Sequence, residues 1–358
     1  MAEKILLKGN EAIALAAIHC GCDGYFGYPI TPQSEVMETL MAEMPWEKTG
    51  MVVLQAESET ASINMIYAGA ATGKRVMTSS SSPGISLMCE GISYMAGAEL
   101  PALVVNVQRG GPGLGTIQPA QADYFQAVKG GGHGDYKLIV LAPSTAQEMY
   151  DFVGKAFELA FKYRIPTMIL ADGVIGQLME KVEIHEQKPR WTKEEILEHA
   201  PWAATGKTPD RERHVITSLE LDSAKQEKFN IHLQEKYRTI EENEQKCEEY
   251  KTEDAEYLLV AFGSTARICK TAIDRARENG MKVGLIRPIT LWPFPEKAID
   301  RCVPHVKGIM SVELNAGQMV EDIRLVANGR VPVCHFGRMG GMIASPDEVY
   351  EAIVKQLK

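Results

Sequence analysis

Short apolar runs alternate with longer stretches of helical spacing through the first half of the chain, and this alternation restricts the fold more than any other feature. The apolar runs lie at residues 51–54, 76–78, 102–107, 138–141 and 167–170. Apolar side chains recur at helical spacing in residues 12–19, 35–44, 59–71 and 146–161. Strands that are apolar throughout are buried on both faces, and connecting helices cover them. The pattern therefore predicts an α/β fold with a doubly wound, mostly parallel sheet.

A similar pattern returns near the end of the chain. Strands are expected at residues 257–262, 281–286, 308–313 and 331–335, with helices at 265–279, near 296–302 and from 318. The chain has 358 residues, whereas a single core rarely grows beyond about 250–300 residues. The intervening stretch is rich in Lys, Glu and Arg, and a long polar helix is expected over its last part, 225–250. We predict a first α/β domain at 1–187, a charged, partly helical connector at 188–254, and a second, doubly wound α/β domain at 255–358.

Two helix starts are indicated by capping residues. Asn10 is a favoured N-cap type and precedes the stretch that runs to Cys20. Thr31 followed by Pro32 has the order of an N-cap and a first helical residue. We therefore expect helices to begin directly after Asn10 and Thr31.

Charge and composition exclude several classes of protein. The net charge is -9 and the pI is about 5.5, which argues against nucleic acid as a partner, because that needs a basic face. No apolar run approaches the ~20 residues that cross a bilayer, and the start lacks a secretory signal pattern, so we expect a cytoplasmic protein without membrane contact. The seven cysteines are scattered, and only Cys20 and Cys22 are close. We expect free thiols and no metal site on this chain.

Glycine-rich stretches suggest nucleotide binding, but the fingerprints are incomplete. Thr116 stands where the third glycine of a dinucleotide motif would be. The phosphate-loop motif is Gly, any four residues, Gly-Lys, and then Ser or Thr. Around Gly73-Lys74, Ala68 stands in place of the first glycine and Arg75 in place of the Ser or Thr. A dinucleotide-dependent dehydrogenase or a phosphate-loop enzyme is therefore poorly supported.

Polar segments follow the expected strands where their carboxyl ends should meet. They are Tyr-Pro-Ile-Thr-Pro at 28–32, Gln-Ala-Glu-Ser-Glu at 55–59, a serine run with Pro-Gly at 79–84, and Gln-Arg-Gly-Gly-Pro-Gly at 108–113. Open α/β sheets bind ligands at that edge. We therefore expect these segments to form one site.

In this order, the segments resemble the pyrimidine-binding domain of thiamine diphosphate enzymes, as found in alpha subunits of 2-oxoacid:ferredoxin oxidoreductases. Residues 285–295, Leu-Ile-Arg-Pro-Ile-Thr-Leu-Trp-Pro-Phe-Pro, are similar to the transketolase C-terminal-type domain. The resemblance covers nearly the whole chain. It implies that the fold is a thiamine-binding domain followed by a transketolase C-terminal-like domain.

The resemblance also implies the roles of individual residues. Glu59 is expected to hydrogen-bond the aminopyrimidine ring, so that the cofactor acts as its own base, with Glu57 as the rival carboxylate. The structural alternative is that both are ordinary acids of a helix first turn. Further cofactor contacts are expected from Ser82 and from the Tyr-Pro-Ile segment. That segment consists of Tyr28, Pro29 and Ile30.

Substrate contacts are expected from an arginine and a threonine. A guanidinium pairs with a carboxylate through two parallel hydrogen bonds, and Arg109 is expected to hold the 2-oxoacid in this way. Thr31 is expected near both substrate and cofactor, although a role as N-cap alone is equally compatible with its position. The glycine-rich loop 110–118 is expected to close over the site, with a rigid turn as the alternative.

A Gly-Asp-Gly motif, which binds the diphosphate through a metal ion in self-sufficient thiamine enzymes, is missing from the sequence. The resemblance therefore implies a beta subunit that holds the diphosphate and Mg²⁺, and gamma and small ferredoxin-like subunits that carry iron–sulfur clusters. The implied reaction converts a 2-oxoacid and coenzyme A to acyl-CoA, CO₂ and reduced ferredoxin. The resemblance favours 2-oxoisovalerate as the expected substrate, with 2-oxoglutarate or pyruvate as alternatives. A degenerate thiamine-fold scaffold or sensor is the competing non-enzyme hypothesis.

Overall fold

The structure is a computed structural model in which residues 4–357 are described. Strands and helices alternate along most of this length, except between residues 184 and 246, which contain two helices and no strand. The elements up to residue 183 are β1 Lys4–Lys8, α1 Gly9–His19, β2 Gly24–Gly27, α2 Ser34–Glu43, α3 Pro45–Lys48, β3 Val52–Gln55, α4 Glu59–Ala71, β4 Val76–Ser80, α5 Ser82–Gly97, β5 Ala102–Gln108, α6 Tyr124–Val128, β6 Ile139–Leu141, α7 Ala146–Tyr163, β7 Pro166–Asp172, α8 Gly173–Gln177 and β8 Met179–Glu183.

The second half has longer helices around a smaller sheet. Its elements are α9 Lys193–His199, α10 Ser223–Asn243, β9 Cys247–Tyr250, β10 Tyr257–Val260, α11 Gly263–Glu278, β11 Val283–Pro288, β12 Thr290–Trp292, α12 Glu296–Cys302, β13 Gly308–Glu313, α13 Met319–Ala327, β14 Val333–Gly337 and α14 Pro346–Gln356. Strands therefore occur at each of the apolar runs at which the sequence predicts one.

The first sheet has seven strands in the order β12-β6-β7-β5-β4-β2-β3, and only β12 is antiparallel to its neighbour. Every residue of its inner strands β5 and β7 is buried, as expected for parallel strands covered on both faces. The second sheet has the order β14-β13-β10-β11-β9, with β9 antiparallel to β11. The predicted class, α/β with mostly parallel sheets, is confirmed.

Two strands cross the limits that we drew from the sequence. Strand β12 lies in the last third of the chain but pairs with β6 of the first sheet. Strand β9 lies in the charged stretch but pairs with β11 of the second sheet. The helix expected over 225–250 ends earlier, because α10 stops at Asn243 and its predicted last turn is β9. The domain limits themselves stay a prediction.

Both helix starts expected from capping residues are wrong. Helix α1 begins at Gly9, so Asn10 lies inside it, and its side-chain amide donates to the Pro32 carbonyl at 2.7 Å. Helix α2 begins at Ser34, three residues after Thr31. The side-chain amide of Gln177 also donates to the Pro32 carbonyl, at 3.0 Å. The Pro32 carbonyl thus accepts hydrogen bonds from distant side chains and not from the next helical turn, and Thr31-Pro32 forms a turn that precedes α2.

No helix within the described residues is long and apolar enough to cross a membrane. All seven cysteines are free thiols. Burial raises the pKa of the Cys20 thiol to about 11 and raises the pKa of the Cys22 thiol well above its ordinary value. These two neighbouring thiols therefore stay protonated and unreactive at neutral pH.

Arg287 joins the two halves of the chain through buried ion pairs. Its side chain is 4 % exposed; it donates to both carboxylate oxygens of Glu148, at 2.7 and 3.0 Å, and to Glu248 at 2.7 Å. We expect Arg287→Ala to lower the free energy of unfolding by about 2–4 kcal/mol, because it leaves the half-buried Glu148 carboxylate without a cation, whereas Glu248 keeps its pair with Lys270. Denaturant titration measures this. The control is Arg275→Ala, whose pair with Asp347 is exposed and should contribute less than about 1 kcal/mol; equal losses would contradict the prediction.

Candidate active site

Glu59 is the first residue of α4 and lies directly after the carboxyl end of β3. The hydroxyl of Ser58 caps this helix by accepting the Ala61 N–H at 3.1 Å, so the Glu59 side chain is not needed as a cap. Glu59 is only 6 % exposed, whereas Glu57 is exposed. No group within residues 4–357 hydrogen-bonds the Glu59 carboxylate. The Glu59 carboxylate is therefore available to a ligand that donates a hydrogen bond.

The carboxylate of Glu59 faces the start of α5. A Cβ atom on Gly84 would lie 2.6 Å from Oε1 of Glu59 and 2.0 Å from Oγ of Ser80, so only glycine fits there. The hydroxyls of Thr78, Ser80 and Ser81 are buried and have no partner among the described residues. Buried hydroxyls are normally paired, and each orphan requires an explanation. Ser80 and Ser81, together with Glu59, provide unused donors and acceptors at the ends of β3 and β4, and Thr78 lies within β4.

Arg109 follows β5 and is 6 % exposed. Its two terminal nitrogens donate to the carbonyl oxygens of Thr31 and Leu114, each at 3.0 Å. Its Nε is buried without an acceptor in the described part of the chain. A guanidinium has five N–H donors, so donors remain for a carboxylate.

The loop 110–118 closes on itself next to Arg109. The Gly110 N–H donates to Gln118 at 2.9 Å, and the Thr116 N–H donates to Gly110 at 2.8 Å. Gly115 has a φ of 62°, and a Cβ there would lie 1.9 Å from the Gly110 carbonyl oxygen. Residues 111–115 are exposed. Movement of this loop stays a prediction.

The other residues that the sequence predicts for the site differ in their exposure to solvent. Pro29 and Thr31 are exposed, and Tyr28 and Ile30 are half-buried, all in the turn after β2. Thr31 meets Arg109 through its backbone carbonyl. The half-buried Ser82 has a hydroxyl that already accepts the Arg109 N–H at 3.1 Å and donates to Asp123 at 2.6 Å.

A cavity of about 650 Å³ opens beside Arg109 and Ser82. The second half of the chain forms one of its walls with Leu314, Asn315, Ala316, Gln318, Met339 and Gly340. Sequence reasoning missed these residues and also missed Asp123. The sequence offered one signal for Asp123, because Gln121 and Asp123 are two polar residues close together shortly after the glycine-rich loop. It offered no signal for the wall residues from the second half of the chain.

Asp123 is the one acidic side chain in the described lining of this cavity, and Arg109 is the one basic side chain. Burial raises the pKa of the Asp123 carboxyl, while hydrogen bonds from Ser82 and Asn106 act in the opposite direction. Within residues 4–357, no group of three His, Cys, Asp or Glu side chains is arranged to hold a metal ion.

These features define a class of protein. A parallel α/β domain that presents an unpaired buried glutamate, orphan hydroxyls and a buried arginine at its strand ends fits an enzyme subunit that binds an organic cofactor and an acid there. The orphan hydroxyls and the free Glu59 carboxylate fit a polar ring, such as the aminopyrimidine of thiamine diphosphate.

Comparison with protein families agrees with this class. Residues 15–255 match the family described as pyruvate flavodoxin/ferredoxin oxidoreductase, thiamine diphosphate-binding. Residues 255–349 match the core domain II of pyruvate:ferredoxin oxidoreductase. The chain therefore belongs to the pyruvate flavodoxin/ferredoxin oxidoreductase family, and the resemblance that its sequence motifs indicate is confirmed. It is a subunit of a 2-oxoacid:ferredoxin oxidoreductase.

The relatives of this chain include two kinds of named subunit that match it over almost their whole length. Ketoisovalerate oxidoreductase subunit VorB of Methanothermobacter marburgensis is 50% identical, over 97% of this chain and 96% of the relative. 2-Oxoglutarate synthase subunit KorA of Methanothermobacter thermautotrophicus is 35% identical, over 99% of each chain. Both relatives are named as subunits of larger enzymes.

Solved structures of similar proteins also match this chain. A 2-oxoglutarate:ferredoxin oxidoreductase from Magnetococcus marinus, solved with 2-oxoglutarate, coenzyme A and succinyl-CoA bound, matches with a TM-score of 0.88 and 29% identity. The match covers 100% of this chain and 66% of that one. A split-gene transketolase matches with a TM-score of 0.62 at 12% identity, which shows a shared fold alone.

Proposed function

We propose that this chain is the alpha subunit of an enzyme that oxidatively decarboxylates 2-oxoisovalerate with coenzyme A, giving an acyl-CoA, CO₂ and reduced ferredoxin. The observation that carries the proposal is the unpaired, 6 % exposed Glu59 carboxylate at a strand end, beside a glycine that leaves room for nothing larger. Relatives that are about half identical, named ketoisovalerate oxidoreductase subunits, support the reaction class and the substrate.

Thiamine diphosphate, when bound, supplies the reactive carbon and the electron sink for decarboxylation. Glu59 would hold its aminopyrimidine ring by hydrogen bonding, with Ser80 and Ser81 offering further partners. Tyr28, Pro29 and Ile30 would line the ring's surroundings. Ser82 is less suited to direct cofactor binding, because Asp123 and Arg109 already use its hydroxyl.

Arg109 would orient the 2-oxoacid. Its Nε–H has no acceptor among the described residues, so a substrate carboxylate can supply one. Thr31 is exposed next to this guanidinium, which keeps it available for a substrate contact. Burial strengthens such a charge-assisted pair relative to water.

Other polypeptides would complete the site. We propose a beta subunit that binds the diphosphate and Mg²⁺, because the sequence contains no Gly-Asp-Gly motif. Gamma and small ferredoxin-like subunits would carry the iron–sulfur clusters that pass electrons to ferredoxin. The relatives are themselves named as subunits, which supports assembly into a complex. We propose that this complex is cytoplasmic.

The cavity chemistry favours a 2-oxoacid with one carboxylate. Arg109 is the one cation among its described lining residues, and Leu314, Met339 and Pro83 add apolar surface. A second substrate carboxylate would face Asp123 without a cation of its own. 2-Oxoglutarate is the second candidate, because the KorA relatives and the matching solved structure act on or bind it by name.

Reconstitution with the beta, gamma and ferredoxin-like chains tests the proposal. Viologen or ferredoxin reduction is followed with 2-oxoisovalerate, 2-oxoglutarate and pyruvate. We expect kcat/KM for 2-oxoisovalerate to exceed that for 2-oxoglutarate by at least about tenfold, because the second carboxylate of 2-oxoglutarate would lie in the cavity without a cation to pair with. A preference for 2-oxoglutarate would overturn the substrate assignment. Thiamine binding without turnover of any of the three would favour the scaffold hypothesis.

A further inference from the structure

Asp123 occupies a fixed position in the wall of the cavity. Its backbone N–H donates to the side chain of Gln108 at 3.0 Å. Its carboxylate oxygen Oδ2 accepts from Asn106 at 2.9 Å and from Ser82 at 2.6 Å. Asn106 and Gln108 are two residues apart on the fully buried strand β5, so they face the same side of the sheet. Asp123 is therefore held directly over the end of the strand that leads to Arg109.

The hydroxyl of Ser82 links Asp123 to Arg109. A serine hydroxyl has one proton to donate and lone pairs to accept. Two acceptors lie within reach of the Ser82 proton, the Asp123 carboxylate at 2.6 Å and the Arg109 carbonyl at 3.2 Å, and the shorter distance assigns the proton to Asp123. A lone pair of the hydroxyl then accepts the Arg109 N–H at 3.1 Å. The Arg109 backbone is thereby fixed where the guanidinium reaches the Thr31 and Leu114 carbonyls.

The segment that carries Asp123 is anchored to the second half of the chain by Gln121. This side chain is fully buried; it donates to the Phe262 carbonyl at 2.9 Å and accepts from the Leu314 N–H at 3.1 Å. Asn315 donates to the Gln121 carbonyl at 2.7 Å. Both sheets therefore fix the segment on which Asp123 lies, and a shift of the second sheet would move Asp123.

We propose that Asp123 is a positioning residue that acts through Ser82 to hold Arg109 in its substrate-binding place, with Gln121 transmitting the position of the second sheet. The proposal gives the second half of the chain a role in the reaction. It rests on the proposed function, because the readout uses the 2-oxoacid that Arg109 holds.

The test compares Asp123→Ala, Asp123→Asn and the control Asp135→Ala in the assembled complex. Asp135 is exposed in a loop away from this cavity. Asp123→Ala should raise KM for the 2-oxoacid about tenfold, with kcat and the KM for coenzyme A within about twofold, because the hydrogen bonds from Ser82 and Asn106 lose their acceptor. Asp123→Asn should stay within about twofold of the unaltered enzyme, since an amide oxygen still accepts from Ser82 and Asn106.

A second measurement does not depend on turnover. Hydrogen–deuterium exchange of the peptide containing Arg109 should be faster in Asp123→Ala than in the unaltered complex, and unchanged in Asp123→Asn. An Asp123→Asn variant as impaired as Asp123→Ala would assign a role to the charge and overturn the proposal. The proposal would also be overturned if Asp123→Ala left the KM for the 2-oxoacid unchanged, or raised the KM for coenzyme A equally. Unchanged exchange of the Arg109 peptide in Asp123→Ala would have the same consequence. If the unaltered complex turns over no 2-oxoacid, the proposed function fails, and the exchange result still decides the positioning role.

Discussion

Replacing Glu59 with glutamine in the assembled enzyme should lower kcat by about 10²- to 10⁴-fold, the range by which a positioned proton-transfer group accelerates a reaction. The carboxylate is buried, unpaired and adjacent to Gly84, so its replacement removes a charge without removing a structural hydrogen bond. Glutamine has the same shape, and the variant should fold normally. Exchange of the thiazolium proton of bound thiamine diphosphate, followed by NMR in D₂O, should be abolished.

The matched control is Glu57→Gln. Glu57 lies two residues earlier and is exposed, so its loss of charge should leave kcat within about twofold, as for most surface substitutions. The comparison decides between the two carboxylates, which the sequence alone left open. Unchanged proton exchange in Glu59→Gln, together with loss of exchange in Glu57→Gln, would move the role to Glu57.

Replacing Arg109 with alanine should lower kcat/KM for the 2-oxoacid by roughly 10²- to 10³-fold, which corresponds to about 3–4 kcal/mol for one partner of a buried, hydrogen-bonded charge pair. Binding of thiamine diphosphate should change little, because Glu59 and the orphan hydroxyls lie on other strand ends. Steady-state kinetics with varied 2-oxoacid, and calorimetric titration of thiamine diphosphate, provide the two readouts.

The guanidinium of Arg109 also supports the Thr31 and Leu114 carbonyls, so the alanine variant removes two structural contacts as well. Arg109→Lys separates the effects, because lysine keeps the charge but loses the fork that binds a carboxylate at two points. The kcat/KM of Arg109→Lys for the 2-oxoacid should lie between the values of the unaltered enzyme and of Arg109→Ala. Arg324→Ala, on an exposed helix position, serves as control. Equal loss of thiamine binding and 2-oxoacid use in Arg109→Ala would count against the carboxylate role.

Sequence reasoning worked best where a residue's environment is local. The inner strands β5 and β7 were predictable because a strand buried on both faces must be apolar over most of its length. The strand-to-helix junction at Glu59 was predictable for the same reason, and the structure has it; the role of Glu59 toward a cofactor stays a prediction. The helix starts at Asn10 and Thr31 were wrong because both residues take part in tertiary contacts that local capping preference does not describe.

The contributions of the second half were not predictable in the same way. Strand β12 pairs with β6 in the first sheet, although about 150 residues of chain separate the two strands. Gln121 meets Phe262 and Leu314, which no spacing along the sequence connects to it. A single sequence carries little information about which distant polar groups satisfy each other.

The sequence by itself therefore determined the alternation of strands and helices, the strand ends where Glu59 and Arg109 lie, and the family to which they belong. These depend on short-range periodicity and on motifs contained within a few residues. Only the tertiary structure decided that Glu59 is buried and Glu57 exposed, and that Asp123 and Ser82 fix the Arg109 backbone. Burial and hydrogen-bond pairing depend on packing between segments that are distant in the chain, and packing is a property of the folded molecule.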